Sequence, residues 1–288
     1  MNGIIVVDKP AGWTSHDVVA KLRGVLHEKR IGHGGTLDPM ATGVLPVFIG
    51  RATRAVSFCE ASDKEYLAGL RLGIVTDTQD TTGQVLKQSP VTIKAQDIDA
   101  VLGCFIGPQQ QLPPMYSAIK IGGQKLYHLA RRGIEIDRET RTITIRVLER
   151  LDGDGPDVLL RVVCSKGTYV RTLCHDIGAA LGCGGAMSSL RRTRVGAFTL
   201  DDAVTLDEII ASSAGGSSPA FFKPVDTLFN LYPAIVIDGS QEKKCRNGAD
   251  FAVMAEDGRY RVYNADNQFL MLGNVDGGMM RAVKNFFE

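Results

Sequence analysis

One carboxylate, Asp38, stands inside the run Gly32-His33-Gly34-Gly35-Thr36-Leu37-Asp38-Pro39-Met40-Ala41-Thr42-Gly43. The glycines allow backbone angles and close approaches that side chains would block. Pro39 fixes the chain after Asp38 and biases Asp38 itself towards an extended conformation. An Asp in a loop commonly serves a turn or a helix cap. Here the loop runs into Val44-Leu45-Pro46-Val47-Phe48-Ile49, apolar enough for a buried strand. The carboxylate therefore belongs at the edge of a core, where its position and ionisation can be controlled. Two other chemistries fail on spacing. Cys174, His175 and Cys183 lack a second closely spaced ligand pair, so they do not read as a metal site. The glycine-rich stretches at 32–35 and 182–185 lack the Gly-Lys-Ser/Thr ending of a phosphate-binding loop.

The glycine-rich run resembles the signature of the TruB-type tRNA pseudouridine synthases. Further matches follow in the family's order at Asp8-Lys9-Pro10-Ala11-Gly12-Trp13-Thr14-Ser15, Lys64-Glu65-Tyr66 and Gln111-Leu112-Pro113-Pro114-Met115-Tyr116-Ser117-Ala118. They resume at Gly167-Thr168-Tyr169-Val170-Arg171-Thr172 and at Leu190-Arg191-Arg192-Thr193-Arg194-Val195-Gly196. The resemblance covers roughly residues 3–200. One departure is Gly34, where relatives often carry Thr; this should loosen the loop slightly.

The resemblance implies an isomerase that converts uridine 55 in the T-loop of tRNAs to pseudouridine. The N1–C1′ bond is cut, the base turns, and C5 is joined to C1′. Nothing is oxidised or added, so no metal or organic cofactor is implied. Asp38 matches the family's catalytic carboxylate, acting by attack at C1′, attack at C6 or removal of the C2′ proton. Arg171 matches the arginine that pairs with it. Tyr66 matches the tyrosine that stacks on the target base, a contact tolerant of in-plane rotation. Tyr169 and Leu190 match positions placed against substrate. A uridine in a folded loop must be flipped out first, and His33 matches the histidine that enters the space it leaves. Lys9 and Pro10 are expected to support the loop. The implied partner is the T-arm stem-loop of tRNA, with a monomeric enzyme, no obligate protein partner and no membrane. The alternative is a tRNA-folding chaperone in which catalysis is secondary; Asp38, Tyr66 and Arg171 together favour the enzyme. The guide-RNA-dependent branch of the superfamily, with a larger C-terminal domain, fits this short chain less well.

The elements that must position these residues are legible in part. Residues 4–7 and 44–49 read as strands, and a helix is expected from Ser15, as N-cap, to about Leu26. Strand patterns follow at 66–74, 142–149 and 157–164, and helices at 94–102, 125–132 and from a Thr168 cap to about Leu181. Interleaving without a βαβ period predicts an α+β fold with a mixed, mainly antiparallel sheet. The Ser/Gly stretch 212–219 has linker composition. Beyond it, apolar segments near ten residues apart predict a small β-barrel, which by position resembles the family's PUA-like RNA-binding domain. The expected division is 1–225, catalytic, and 226–288, RNA-binding.

Bulk properties are those of a cytoplasmic protein with reduced thiols. The six cysteines show no disulfide spacing, the N-terminus lacks a signal-peptide pattern, and no apolar run approaches a membrane span. A net charge of +1 is weak for a nucleic-acid binder. The charge pattern reads equally as a nucleic-acid footprint or as ordinary solvated faces: basic clusters stand at Arg51/Arg54, Lys120–Arg146 and Arg191/Arg192/Arg194, and acidic residues gather elsewhere, Asp77 and Asp80 among them.

Overall fold

The computed structural model describes residues 1–213 and 221–287. Most of the Ser/Gly stretch, residues 214–219, lies outside the described residues; Ser212 and Ser213 end a helix.

The N-terminal part runs β1 (Gly3–Lys9), α1 (Ser15–Leu26), β2 (Ile31–His33), β3 (Thr42–Ile49), α2 (Val56–Ala61) and β4 (Lys64–Leu72). A hairpin of β5 (Ile74–Thr76) and β6 (Val85–Gln88) leads to α3 (Ala95–Cys104) and β7 (Gly107–Gln111). Then come β8 (Lys120–Ile121), β9 (Gln124–Lys125), α4 (Leu126–Ala130), β10 (Arg141–Asp152) and β11 (Asp157–Cys164). The part closes with α5 (Val170–Ala180), β12 (Gly185–Val195), β13 (Phe198–Thr199) and α6 (Leu206–Ser213).

One nine-stranded sheet organises these elements in the order β1-β3-β12-β4-β11-β10-β7, with β2 beside β3 and β13 beside β12. Only β3 and β12 run parallel; every other ladder is antiparallel. The sheet is thus mixed and mainly antiparallel, as the sequence predicts. That parallel contact is short, Arg191 opposite Thr42 and Arg192 opposite Gly43. It brings the strand after Asp38 against the strand that carries Leu190. Gly43 is obligatory there: its φ is +100°, and a Cβ would lie 2.2 Å from the Arg192 carbonyl oxygen.

Three apolar clusters fix the sheet. Leu70, Ile145, Leu160 and Val162 pack with Ile98 and Leu102 of α3 and Leu173 and Ile177 of α5. Val18, Val19 and Leu22 of α1 and Ile209 of α6 pack on Ile5, Val7 and Leu45. On the other side Ile4, Val6, Phe48 and Phe198 meet Phe229, Leu272 and Phe286 from the C-terminal region. Fully burying each such side chain contributes about 1.5–3 kcal/mol.

The C-terminal region holds β14 (Ala234–Val236), α7 (Gly239–Arg246), β15 (Phe251–Ala252), β16 (Gly258–Tyr263), β17 (Phe269–Asp276) and β18 (Met279–Asn285). The strand positions follow the apolar segments read in the sequence. The barrel does not close: the order is β14-β16-β17-β18-β15, with β14 and β15 at opposite edges and no ladder joining them among the described residues. With two and three residues respectively, β15 and β14 are too short to wrap round and meet. The outcome is an open, half-barrel-like sheet. Helix α7 was not foreseen; four of its eight residues are charged, and Cys245 is its buried residue. Among the described residues no helix is long and apolar enough to cross a membrane.

Candidate active site

The loop carrying Asp38 is gripped on both sides of the carboxylate. Ser15 Oγ accepts the Leu37 amide at 2.9 Å, and the Pro39 carbonyl accepts the Gly12 amide at 2.8 Å. Lys9, fully buried, donates from Nζ to the carbonyls of Pro10 (2.9 Å), Trp13 (2.6 Å) and Pro39 (3.3 Å). Burial pulls the Lys9 amine down to about 8, against the opposing attraction of Asp38. Lys9 therefore supports the loop, as expected. Ser15 was expected as the cap of α1. The cap is Thr14, in a reciprocal box with Asp17, which frees the Ser15 hydroxyl for Leu37.

Gly34 has a packing role that differs from the looseness expected of it. A Cβ there would lie 2.5 Å from Cys59 Sγ and 3.0 Å from the Phe48 ring. Gly34 and Cys59 thus form a tight contact that a larger residue at 34 would break unless 59 also changed.

Arg171, in the first turn of α5, closes on Asp38. Its Nε lies 2.9 Å from Asp38 Oδ2, and Nη2 donates to Oδ1 at 3.4 Å. The Arg171 side chain is only 6% exposed, whereas that of Asp38 is 36% exposed, so the pair has a dry side and an open side. The dry side is crowded with acceptors: Thr78 carbonyl (3.1 Å), Tyr116 carbonyl (2.9 Å) and Asp80 Oδ2 (3.7 Å). Charge-assisted bonds to several fixed acceptors lock the guanidinium plane. Asp80 itself accepts from the Thr78 hydroxyl and the Thr82 amide. Asp80, which the charge pattern alone offers as part of a solvated acidic face, is buried. The signal for it was the Thr76–Thr82 run of alternating short polar residues, which folds into a turn around the carboxylate.

Tyr66 projects from β4 and is 8% exposed, in the same cluster as Leu37, Ala41, Val170 and Leu190. Burial pushes its phenol up, and the Asp38 charge adds to this while Arg192 works against it. The tyrosine is thus a neutral ring within electrostatic reach of Asp38. Leu190 lies on β12 opposite Ala68. Tyr169 is the residue before α5, and here Thr168 does not cap the helix; its hydroxyl donates to the Ser165 carbonyl. Gln111 instead holds Tyr169, accepting its amide at 2.8 Å and donating to its carbonyl at 3.0 Å. Gln111 and Tyr116 give the Gln111–Ala118 motif a physical role that the sequence did not disclose. The Tyr169 ring meets the Arg141 guanidinium, 5.4 Å from the ring centroid.

His33 ends β2 opposite Val47, with its ring edge-on to His16 at 5.5 Å. Burial, helped by His16 and Arg192, lowers its imidazole to about 4. It is a neutral ring at physiological pH, and its Nδ1 has no partner.

The basic clusters divide. Arg191 pairs with Asp8 at 2.8 Å, Arg194 with Glu65 at 3.2 Å, and Arg192 is buried. In that third cluster Arg191 and Arg194, both partly exposed, are each paired with a carboxylate, and Arg192 is turned inward. Lys125 and Arg131, by contrast, flank the Tyr127 ring at 5.5 Å each on the segment between β7 and β10.

The geometry brings together a partly exposed carboxylate, a buried guanidinium and a neutral phenol. Residues 23–170 match the model of the TruB family pseudouridylate synthase N-terminal domain. Residues 171–230 match that of the tRNA pseudouridylate synthase B C-terminal domain, which takes in α5 and β12 and ends before β14. The chain is 41% identical over 292 residues to the tRNA pseudouridine synthase B of Clostridium kluyveri, covering 99% of this chain and 100% of that protein. It is 52% identical over 248 residues to the protein of that name from Alkaliphilus oremlandii, covering 86% and 82%. A chain of a solved Cbf5-Nop10-Gar1 complex superposes with a TM-score of 0.75 at 30% identity, over 99% of this chain and 85% of that one. The chain belongs to the TruB family of pseudouridylate synthases.

Proposed function

We propose that this enzyme forms pseudouridine in tRNA, at uridine 55 of the T-loop, with Asp38 as the carboxylate that acts on the nucleotide. The observation that carries the reading is the Asp38–Arg171 pair, one partner buried and the other open to a ligand. Arg171 holds Asp38 in place, and Asp80 with the carbonyls of Thr78 and Tyr116 holds Arg171. Asp38 breaks the N1–C1′ bond by attack at C1′ or C6, or by taking the C2′ proton. Tyr66 stacks on the uracil ring and retains it while it turns. As a neutral phenol its hydroxyl donates a hydrogen bond; it is not a phenolate base.

Tyr169 and Leu190 complete the walls. Neutral His33 enters the space left by the flipped nucleotide, where an uncharged ring stacks without the cost of desolvating a cation. Residues 1–225 act as the catalytic domain, and 226–288 as a second, PUA-like RNA-binding domain. The Asp38–Arg171 arrangement supports an enzyme over a tRNA chaperone, because folding tRNA requires neither group. On this reading the protein acts without guide RNA and without an obligate protein partner.

The test is to incubate pure protein with an unmodified tRNA transcript and map pseudouridine by carbodiimide-dependent primer extension. A single stop one nucleotide 3′ of position 55, absent from a transcript with cytidine at 55, is expected. Modification at another uridine would refute the site assignment. No product from folded protein that binds the transcript would refute the enzyme.

A further inference from the structure

Arg192 is the bulkiest fully buried side chain among the described residues, at 1% exposure. Other enclosed or half-enclosed arginines here meet carboxylates: Arg171 has Asp38 and Asp80, Arg191 has Asp8, and Arg194 has Glu65. Among the described residues Arg192 has no such pairing. Its guanidinium donates to the carbonyls of Val44, at 2.7 Å from Nε, and Gly35, at 3.1 Å from Nη2. A buried charge without a counter-ion is costly and calls for a reason.

Those two carbonyls bracket Asp38: one side chain ties both ends of the segment 35–44 to β12. The register adds a second link, for Arg192 stands opposite Gly43 on β3 and opposite Tyr66 on β4. From that register the guanidinium charge acts on the Tyr66 phenol and eases the upward shift that burial imposes on it. The same charge helps to lower Lys9 and His33. Arg192 therefore adds positive potential around Tyr66 and the Asp38 loop, with no carboxylate paired to it among the described residues.

We propose that Arg192 is a positioning residue for the isomerisation: it fixes the Asp38 loop, orients the Tyr66 hydroxyl, and holds uncancelled positive charge beneath the detached base. The inference rests on the isomerase reading. When the C1′–N1 bond breaks with its electron pair going to N1, the uracil is an anion until C5 bonds to C1′; the C5 proton then leaves and N1 takes one up, so that the product is an isomer of the substrate. A preorganised positive charge in a dry pocket favours that state over the neutral bound nucleotide. Acting through the Tyr66 hydroxyl, Arg192 needs no direct contact with the base.

The experiment measures single-turnover rate, tRNA dissociation constant and melting temperature for Arg192→Gln and Arg192→Lys, each with Tyr66 intact and with Tyr66→Phe. The expected result is that Gln slows turnover about 10²-fold with tRNA affinity within about twofold. Lys, which keeps the charge, should recover most of the rate. The loss caused by Gln should shrink several-fold in the Tyr66→Phe background, because the group through which Arg192 acts is already gone. Equal losses in both backgrounds, or Gln as fast as Lys, would overturn the proposal and leave Arg192 a purely architectural residue. Should the Arg192 variants not fold, the wild-type chain labelled with ¹⁵N-arginine decides. Arg192 and Arg171 should give the two most exchange-protected guanidinium signals, and Tyr66→Phe must shift one of them; two unmoved signals overturn the proposal. Absence of pseudouridine with the wild-type protein would instead count against the isomerase reading itself.

Discussion

The segment carrying Asp38 is tied down by buried polar bonds, whereas the C-terminal sheet is seated by aromatic side chains. Around Asp38, Ser15, Lys9, Gly12 and Arg192 bond to the backbone of residues 35–44, and Arg171 holds the carboxylate. At the other contact, Phe229 packs edge-on to Phe58 at 5.3 Å and Phe269 stacks on Phe286 at 5.3 Å. Leu272 and Phe286 meet Phe48 and Phe198 there, and Arg54 Nη1 donates to the Asn285 carbonyl at 3.1 Å. Hydrogen bonds are directional and weaken steeply with misalignment, so they set an atom's position. Apolar contact is non-directional and sets adhesion. A group that breaks a glycosidic bond needs the first, and a surface that adds contact area needs only the second.

The comparison breaks most sharply at Asp38. Asp38→Asn should keep the fold and tRNA binding, since it preserves size and hydrogen bonding, yet reduce single-turnover isomerisation by at least about 10²–10⁴-fold. Substantial product from that variant would remove Asp38 from the chemistry. Next in size is Arg171→Met, which leaves Asp80 buried without its cation. Removing one partner of a buried pair costs about 3–5 kcal/mol, and the loss here falls mainly on the Asp80 side because Asp38 is partly solvated. Urea unfolding should register it, and turnover should fall with it.

Phe286→Ala sharpens the contrast from the opposite side. It should destabilise the protein by about 3 kcal/mol and raise the apparent Michaelis constant for tRNA, with turnover at saturating tRNA close to wild type. A large fall in saturated turnover would show that the two regions are not separable in this way. Deleting the whole C-terminal region is a poorer probe, since it would strip the cover from Phe48 and Phe198.

The smallest expected effect is a pH dependence. Below pH 6.5 the unfolded chain takes up a proton at His33 that the folded protein accepts only near pH 4. Folded-state stability should therefore fall through that window as pH drops, by about 2 kcal/mol at pH 5, and be unaffected by this group above about pH 7. The difference in unfolding free energy between wild type and His33→Gln, followed from pH 7 to 5, checks the sign. A constant difference would place His33 in a wetter setting than its packing implies.

Sequence reading reached the strands, the helix α1, the mixed sheet and the candidate residues because each is a local signal: an apolar period, a glycine-rich loop, a motif with fixed spacing. It placed Asp38, Arg171 and Tyr66 in one site only through resemblance, since nothing local joins residues 38, 66 and 171. What tertiary structure alone decided are the partners. Asp80 resembled a surface acid until α5 brought Arg171 to it. Arg191, Arg192 and Arg194 form one basic run in the chain, but the β12 register sends Arg192 inward and gives the other two to Asp8 and Glu65. The C-terminal strands were legible from their spacing, and the open edge was not. Closure depends on the length and direction of the edge strands, whereas the apolar period reports only that strands exist. Burial and pairing are properties of neighbours in space, and a chain position carries no record of which neighbours the fold will supply.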